Sequence, residues 1–503
     1  MMDFSPVLRD FSAFSLASGI KIRNYQKDAA DAIIDSVFHR RGLTFVIMFP
    51  RQSGKNEIQG QIENYILFMF ALKGGNIIKV SPTWRPQSIN AKQRLARILR
   101  DNDITKSFYK PSEGYQFVIN DKTRISFLSG EENSNIVGNT ADLLLEIDEA
   151  QDVGINKYDK EIAPMAASTN ATRAFFGTAW TNTTLLSREL RIAKLKEQED
   201  GIKRVFRLTC EDVWKEVPAY RLFVEEQVNK LGRNHPTIKT QYYCEEIDAE
   251  SSFISAEDML LMEGQHDKLD SPSDVGSYAM MIDIAGEEEE NVVGIKLETN
   301  ESQKRDATAI TICEIDFSTL DTIKHAVTWR VVCRYNWTGV SMVEQYARME
   351  SLIKKWKPIS VCCDGTGIGA GLSAFLKELV GEERFVNFIF TSETKSKIGW
   401  GWLAIVHTGR WKEYKDNDHL KSLFFEQLKY CKYEILPGVG KKMRFSVPDG
   451  TRNLDGEYVH DDLIMSAAMS AAIEAKLGDT WLSPADALIV EANDPYKDRN
   501  RRW

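Results

Sequence analysis

The sequence predicts an α/β protein of two domains, each built on a mostly parallel sheet. Three observations carry this. The chain has 503 residues, more than one ordinary core encloses, so two domains of comparable size are expected. From Ile20 to Asp248, apolar strand-like runs alternate with helical patterns, as in a parallel sheet covered on both faces. The stretch EEIDAESSFISAEDM (245–259) is polar and loses the strand pattern, and a second alternation begins after it. The expected boundaries are a first domain over 1–248, a link over 249–260, a second domain over 261–478 and a tail over 479–503.

In the first half the strand candidates are LTFVIMF (43–49), NIIKVSP (76–82), TRISFLSG (123–130), ADLLLEID (141–148) and RAFFGTAW (173–180). NEIQGQIENYILFMFALK and AKQRLARILR between them have helical periodicity. In the second half SYAMMIDIAG, DATAITICEID and HAVTWRVVCRYNW read as three successive strands that could form a meander. A helix (SMVEQYARMESLIKKW), a strand (PISVCCDG), a glycine-rich turn and a long alanine-rich helix (HDDLIMSAAMSAAIEAKL) follow. The terminal KDRNRRW reads as a disordered end.

Hydrophobic residues make up 43% and charged residues 27%, as in soluble globular proteins. The net charge of −9 argues against coating nucleic acid through an overall field, but leaves local basic patches open. Seven scattered cysteines with no CxxC spacing read as reduced, buried thiols. The longest apolar candidate, Tyr65 to Leu72, is too short to span a bilayer, and the N-terminus lacks a signal pattern. A cytoplasmic protein without membrane partners is expected.

FPRQSGKNE (49–57) follows a strand and opens a helix, the context of a phosphate-binding loop. Arg51, Gln52, Ser53, Gly54, Lys55 and Asn56 are its candidate nucleotide contacts, with Lys55 reaching the β- and γ-phosphates. Phe49 stands where the first glycine is usual, and Asn56 where a hydroxyl usually meets Mg²⁺. ADLLLEIDEAQ (141–151) delivers Asp148 and Glu149 to the end of an apolar strand. There Asp148 can hold Mg²⁺ and Glu149 can orient or deprotonate the attacking water. In FFGTAW (175–180), Thr178 fits a residue that senses the γ-phosphate; KVSPT (79–83) resembles a segment through which helicase-like motors touch DNA; and Gln26 is a candidate for reading adenine. Taken singly, each has a plain structural reading: a chance tetrapeptide, a strand ending in a turn, a helix start. Together they point to ATP with Mg²⁺.

The second half places acids at strand ends and a helix start: Asp283 in YAMMIDIAG, Asp364 in VCCDGTGIG, and Asp461 and Asp462 in VHDDLIMS. One acid in a buried strand can be a satisfied acceptor, but several at one sheet edge suit metal. Two divalent ions, Mg²⁺ or Mn²⁺, could there clamp the attacking water and leaving oxygen of a phosphodiester. His460 reads equally as an outer ligand or a helix cap, and Asp306 as a further acid or a turn residue.

In this order, a loop of the RQSGK type, a strand ending in DEA, a GTA-type segment, HPTIKTQYYCEEIDAESSFIS, then DIAG, D-ATAI, CDGTGIG, TKSKIGWGWLAIVHTGRW with its Gly409-Arg410 pair, and HDDLIMSAAMSA resemble one family. It is the large subunit of the tailed-bacteriophage DNA-packaging terminase, and the likeness covers about residues 20–475. The resemblance implies an N-terminal P-loop (RecA/ASCE-like) ATPase domain and a C-terminal RNase H-like nuclease domain. It implies ATP-driven pumping of double-stranded DNA into a procapsid and metal-dependent cutting of concatemers. Its implied partners are a portal ring, a small terminase subunit and further copies of itself in a ring. Its implied location is the host cytoplasm and transiently the portal, not the mature virion. Carried over, Lys55 binds phosphate, Asp148 binds Mg²⁺, Glu149 is the catalytic acid/base and Thr178 couples. Asp283, Asp364 and one of Asp461 and Asp462, with Asp462 favoured, hold the nuclease metals. The chain departs from the family at Asn56, in lacking an arginine just before the ADLLLEID strand, so that Arg51, Arg85 or another residue serves as a trans finger or the finger lies elsewhere, and in the acidic insert GEEEENVVGIKLETNESQK. Two other readings are a helicase or remodelling enzyme with an RNase H-like accessory domain, and an inactive prophage remnant.

Overall fold

Strand β1 (Thr44–Met48) has parallel neighbours on both sides and is buried from Phe45 onward, which is why its sequence shows no polar alternation. The computed structural model describes residues 5–108, 114–285, 307–322, 325–367, 369–436 and 441–481. Asp306, the acidic insert from 286 and the basic terminus lie outside these residues. The described residues form two compact units, one from 5–226 with 236–249, the other from 227–235 with 250–436 and 441–481.

The first unit holds a seven-stranded sheet: β1, β2 (Gly75–Ser81), β3 (Gln116–Ile119), β4 (Thr123–Ser129), β5 (Leu144–Ile147), β6 (Thr172–Gly177) and β7 (Val205–Arg207). Their order is β3-β4-β2-β5-β6-β1-β7, parallel except for the β3–β4 pair. The five expected strands are present. The short edge strands β3 and β7 escaped the sequence reading, since few residues leave little periodicity to read. The two expected helices are Lys55–Met69 and Ile89–Asp101. Alternate β1 residues feed opposite cores: Phe45 and Ile47 pack with Ile33 and Ile62, while Val46 and Met48 pack with Val80, Ile147 and Phe175. Because β6 lies between β1 and β5, the end of one strand separates the phosphate loop from the Asp148-Glu149 pair. This is the RecA/ASCE-like order.

The second unit's β8 (Glu250–Ser252) precedes a six-stranded sheet of β9 (Tyr278–Asp283), β10 (Thr308–Asp316), β11 (Thr328–Trp337), β12 (Ser360–Asp364), β13 (Phe385–Phe388) and β14 (Trp411–Lys412). The order is β13-β12-β9-β10-β11-β14. β9, β10 and β11 form the expected antiparallel meander; after the helix Met342–Trp356, β12 lies parallel beside β9. A central strand with an antiparallel neighbour on one side and a parallel one on the other is the RNase H-like arrangement. β8 pairs with β15 (Lys432–Ile435), which pairs with β16 (Met443–Ser446), making a small antiparallel sheet. The polar stretch 249–260, read as a link, is therefore folded: it supplies β8 and a capping box. In that box Ser255 Oγ accepts from Asp258 N, and the Asp258 carboxylate accepts from Ser255 N.

The alanine-rich run, expected to be one helix, is two, Asp462–Ala468 and Ser470–Trp481, parted at Met469 where ψ flattens to −16°. Ser466 Oγ lies 3.1 Å from Met281 O and 2.8 Å from Thr311 Oγ1, fixing the first helix onto β9 and β10. Two buried ion pairs fix the far side of this unit. Arg410 Nη1 donates to both Glu474 oxygens at 2.9 and 2.8 Å and to Val327 O at 3.0 Å, so the arginine of the Gly409-Arg410 pair is internal. Arg334 pairs with Glu413, whose Oε1 also accepts from Trp411 Nε1 at 2.8 Å. Removing one partner of such a pair strands a buried charge, so Glu413→Ala should cost about 3–5 kcal/mol, checked by denaturant unfolding of the full chain. All seven cysteines are buried and free. No described helix is long and apolar enough to cross a membrane.

Candidate active sites

The first site forms where β1 turns into the helix Lys55–Met69. Gln52 (φ 63°) and Gly54 (φ 84°) both take left-handed backbone in this turn. At Gly54 a Cβ would also stand 2.6 Å from Gln26 Nε2, so only glycine fits. Gln26 donates to Gly54 O at 3.2 Å and accepts from Arg23 N at 3.1 Å, while Tyr25 Oη donates to Ser53 O at 2.7 Å. The structure thus brings Gln26 to the loop, with its amide engaged there. Arg51 and Gln52 are exposed on the loop, and Arg51 N donates to Gln241 O at 2.8 Å.

Lys55 Nζ contacts Glu149 at 3.0 Å and Thr178 Oγ1 at 3.2 Å, so residues from three strand ends meet at one ammonium. Asp148 Oδ1 accepts from Gln59 Nε2 and from Glu149 N, each at 3.0 Å. Glu149 itself has φ 44°, a conformation that costs a non-glycine residue of order 1–3 kcal/mol and concentrates at functional sites. Gln151 ties the ends together: its Nε2 donates to Glu149 at 2.8 Å and its Oε1 accepts from Thr178 N at 3.1 Å. Gly177 leaves room for that amide, since a Cβ there would meet Gln151 Oε1 at 2.3 Å. The Asn56 amide oxygen and the Ser53 hydroxyl are buried without protein partners, leaving both open to a nucleotide or its metal. That donor set fits the group the loop implies.

KVSPT does not present its lysine to solvent. Lys79 is 2% exposed, with Nζ 2.6 Å from Gln59 Oε1, 2.6 Å from Glu63 and 3.4 Å from Glu146. Burial opposes its charge, yet Glu146 and Glu63 raise its pKa above the ordinary lysine range. Burial also pushes the Glu146 carboxyl well up. The lysine is therefore held in its charged form beside these acids. Gln59, Lys79 and Gln151 were not singled out in the sequence. For Gln59 a signal existed: Lys55, Gln59 and Glu63 recur every fourth residue, one face of a helix.

The second site lies at one edge of the six-stranded sheet. Cys363 of β12 pairs with Ile282 of β9, so Asp364 and Asp283 end adjacent parallel strands. On the other side Asp283 pairs with Ala309 of β10, and Asp462 Oδ2 accepts from Ala307 N at 3.1 Å. Asp461 is the N-cap of the helix that Asp462 opens, and His460 beside it is half-buried. Burial, then the charges of Asp462, Asp364 and Asp461, push the Asp283 carboxyl well above the usual range, and Lys395 opposes them. Burial also raises Asp364, against hydrogen bonds from Thr366, whose N donates to Oδ1 at 2.8 Å. Among the described residues no three acids, histidines or cysteines form a ready-made metal centre. Mutual repulsion of the carboxylates opposes closer approach. The donor chemistry, hard carboxylate oxygens gathered at one end of the sheet, nonetheless fits divalent cations.

No family model matches the chain, and no curated protein matches it. Solved structures do resemble it. The chain is similar to the large terminase of a thermophilic bacteriophage at 12% identity and TM-score 0.44, over 89% of this chain and 98% of that one. It is similar to the HK97 bacteriophage large terminase at 13% identity and TM-score 0.39, over 94% and 100%. It is also similar to the large terminase nuclease of the thermophilic phage G20c, solved with bound magnesium, at 14% identity and TM-score 0.30, over 44% and 96%.

Proposed function

We propose that the chain is the large subunit of a phage DNA-packaging terminase: an ATP-hydrolysing motor for double-stranded DNA joined to a divalent-metal-dependent DNA nuclease. The observation that carries this is a pairing of two sites on one chain, in this order. The first joins Lys55 to Glu149 and Thr178 in a RecA/ASCE-like sheet. The second sets Asp283 within electrostatic reach of Asp364, Asp461 and Asp462 in an RNase H-like sheet.

In the motor, Lys55 and the backbone N–H groups of the loop hold the phosphates, and Asn56 and Asp148 stand on the Mg²⁺ side. Glu149 takes the proton of the attacking water, and Thr178, bonded to Lys55 in this structure, reports the γ-phosphate. Bound Mg²⁺ supplies charge neutralisation on the phosphates. In the nuclease, Asp283, Asp364 and Asp462 would hold two Mg²⁺ or Mn²⁺ ions, which would supply an activated water and charge stabilisation for the leaving oxygen. The partners that follow are DNA, a portal ring, a small subunit and further copies of the chain, in the host cytoplasm and transiently at the portal. A helicase needs a second RecA-like lobe, and among the described residues the second unit holds an RNase H-like order instead.

Purified full-length chain is expected to hydrolyse ATP in Mg²⁺ and to cut plasmid DNA in Mn²⁺. ATP turnover without cutting in Mg²⁺ or Mn²⁺ would remove the nuclease half of the proposal, and cutting without turnover the motor half.

A further inference from the structure

The helix that begins at Lys55 carries Gln59 and Glu63 on the same face, one turn apart. Gln59 is fully buried and bonded at both ends. Lys79 Nζ donates to its Oε1 at 2.6 Å, and its Nε2 donates to Asp148 Oδ1 at 3.0 Å. These partners dictate which way the amide points. An ammonium can only donate and a carboxylate can only accept. Turned over, the amide would set NH₂ against NH₃⁺ and a carbonyl against a carboxylate. Glu63 and Glu146 hold Lys79 in place. The bonds from Gln59 and from the Glu149 backbone both fall on Oδ1 of Asp148, which sets the plane of that carboxylate.

We propose that Gln59 is a positioning residue for Asp148, and that Lys79 gives it a single orientation. The inference rests on the reading of this site as a Mg²⁺-dependent ATPase. Both polar atoms of the Gln59 amide are taken, by Asp148 and by Lys79, so its effect on a bound Mg²⁺ would pass through Asp148. A hydrogen bond to a charged group is involved, so its loss should raise the Mg²⁺ concentration needed for half-maximal effect roughly 10- to 100-fold.

The test is binding of a fluorescent ATP analogue to the full chain, titrated with Mg²⁺ and repeated in EDTA, beside a melting curve. Gln59→Leu is expected to match wild type within about twofold in EDTA, because phosphate contacts do not pass through residue 59. Its Mg²⁺ requirement should rise by the stated factor, and excess Mg²⁺ should restore ATP turnover. A merely structural role would weaken binding equally in both conditions. Gln59→Asn, which keeps the amide but shortens its reach, should shift the Mg²⁺ curve in the same sense and serves if the leucine variant does not fold. A Mg²⁺ curve superimposed on wild type, or an equal loss in EDTA, overturns the proposal. Wild-type chain that binds no nucleotide overturns the ATPase reading, and this inference with it.

Discussion

Asp283→Asn should abolish plasmid cutting while leaving ATP turnover within about twofold, and should make the metal-free protein more stable at neutral pH, not less. The first half follows from position. Asp283 lies between Asp364 and the Asp462 side of the cluster, so it is the acid best placed to be shared by two ions. Metal coordination supplies several kcal/mol at the transition state, which is a loss of about a thousandfold or more in rate. The second half follows from charge. The Asp283 carboxyl is raised well above its ordinary range by burial and by three neighbouring acids. A raised folded-state value means that its stabilising contribution is full at low pH and is lost as pH rises through that value. Metal-free protein should therefore weaken progressively above about pH 4, where an unfolded aspartate ionises. Mn²⁺ should protect more at about pH 8 than at about pH 5. Melting curves in EDTA and in Mn²⁺ at both pH values check this. A variant that cuts DNA at the wild-type rate, or one that melts lower in EDTA at the higher pH, would remove Asp283 from the centre of the cluster.

Glu149→Gln should stop hydrolysis and keep binding. The amide preserves the side chain's shape but cannot take a proton, and a positioned general base contributes about 10²–10⁴-fold. Lys55 loses a charged partner at 3.0 Å, so its ammonium is freer to meet phosphate and nucleotide affinity should not fall. Single-turnover hydrolysis and equilibrium binding, measured on the same preparation, separate the two effects. Turnover within about threefold of wild type would disqualify Glu149 as the base.

Much of the architecture was legible because it rests on long buried runs. The strands around Val46, Ile147 and Phe175 have apolar residues on both faces, and no loop has that composition. The acids at 148, 283 and 364 stood out for the same reason, as charges at the ends of apolar strands. Less was legible where pairing is decided by distant partners. β8 and β15 lie far apart in sequence, and three polar residues do not announce a strand. Polarity alone made 249–260 look like a link, although Ser255 and Asp258 already carried a cap signature. Nothing within KVSPT announces that Lys79 is buried, because Glu63 and Glu146, its counter-charges, come from a separate helix and strand.

That last arrangement has a consequence for how relatives of this chain can diverge. Lys79, Glu63 and Glu146 come from three different elements and share one dry space. Lys79 cannot be exchanged alone without leaving a buried acid with no counter-charge, which is far costlier than most single steps. Lineages should therefore change these positions together, an apolar set replacing the charged one in a single correlated move. Position 59, which meets Lys79 directly, should track whichever set a lineage carries.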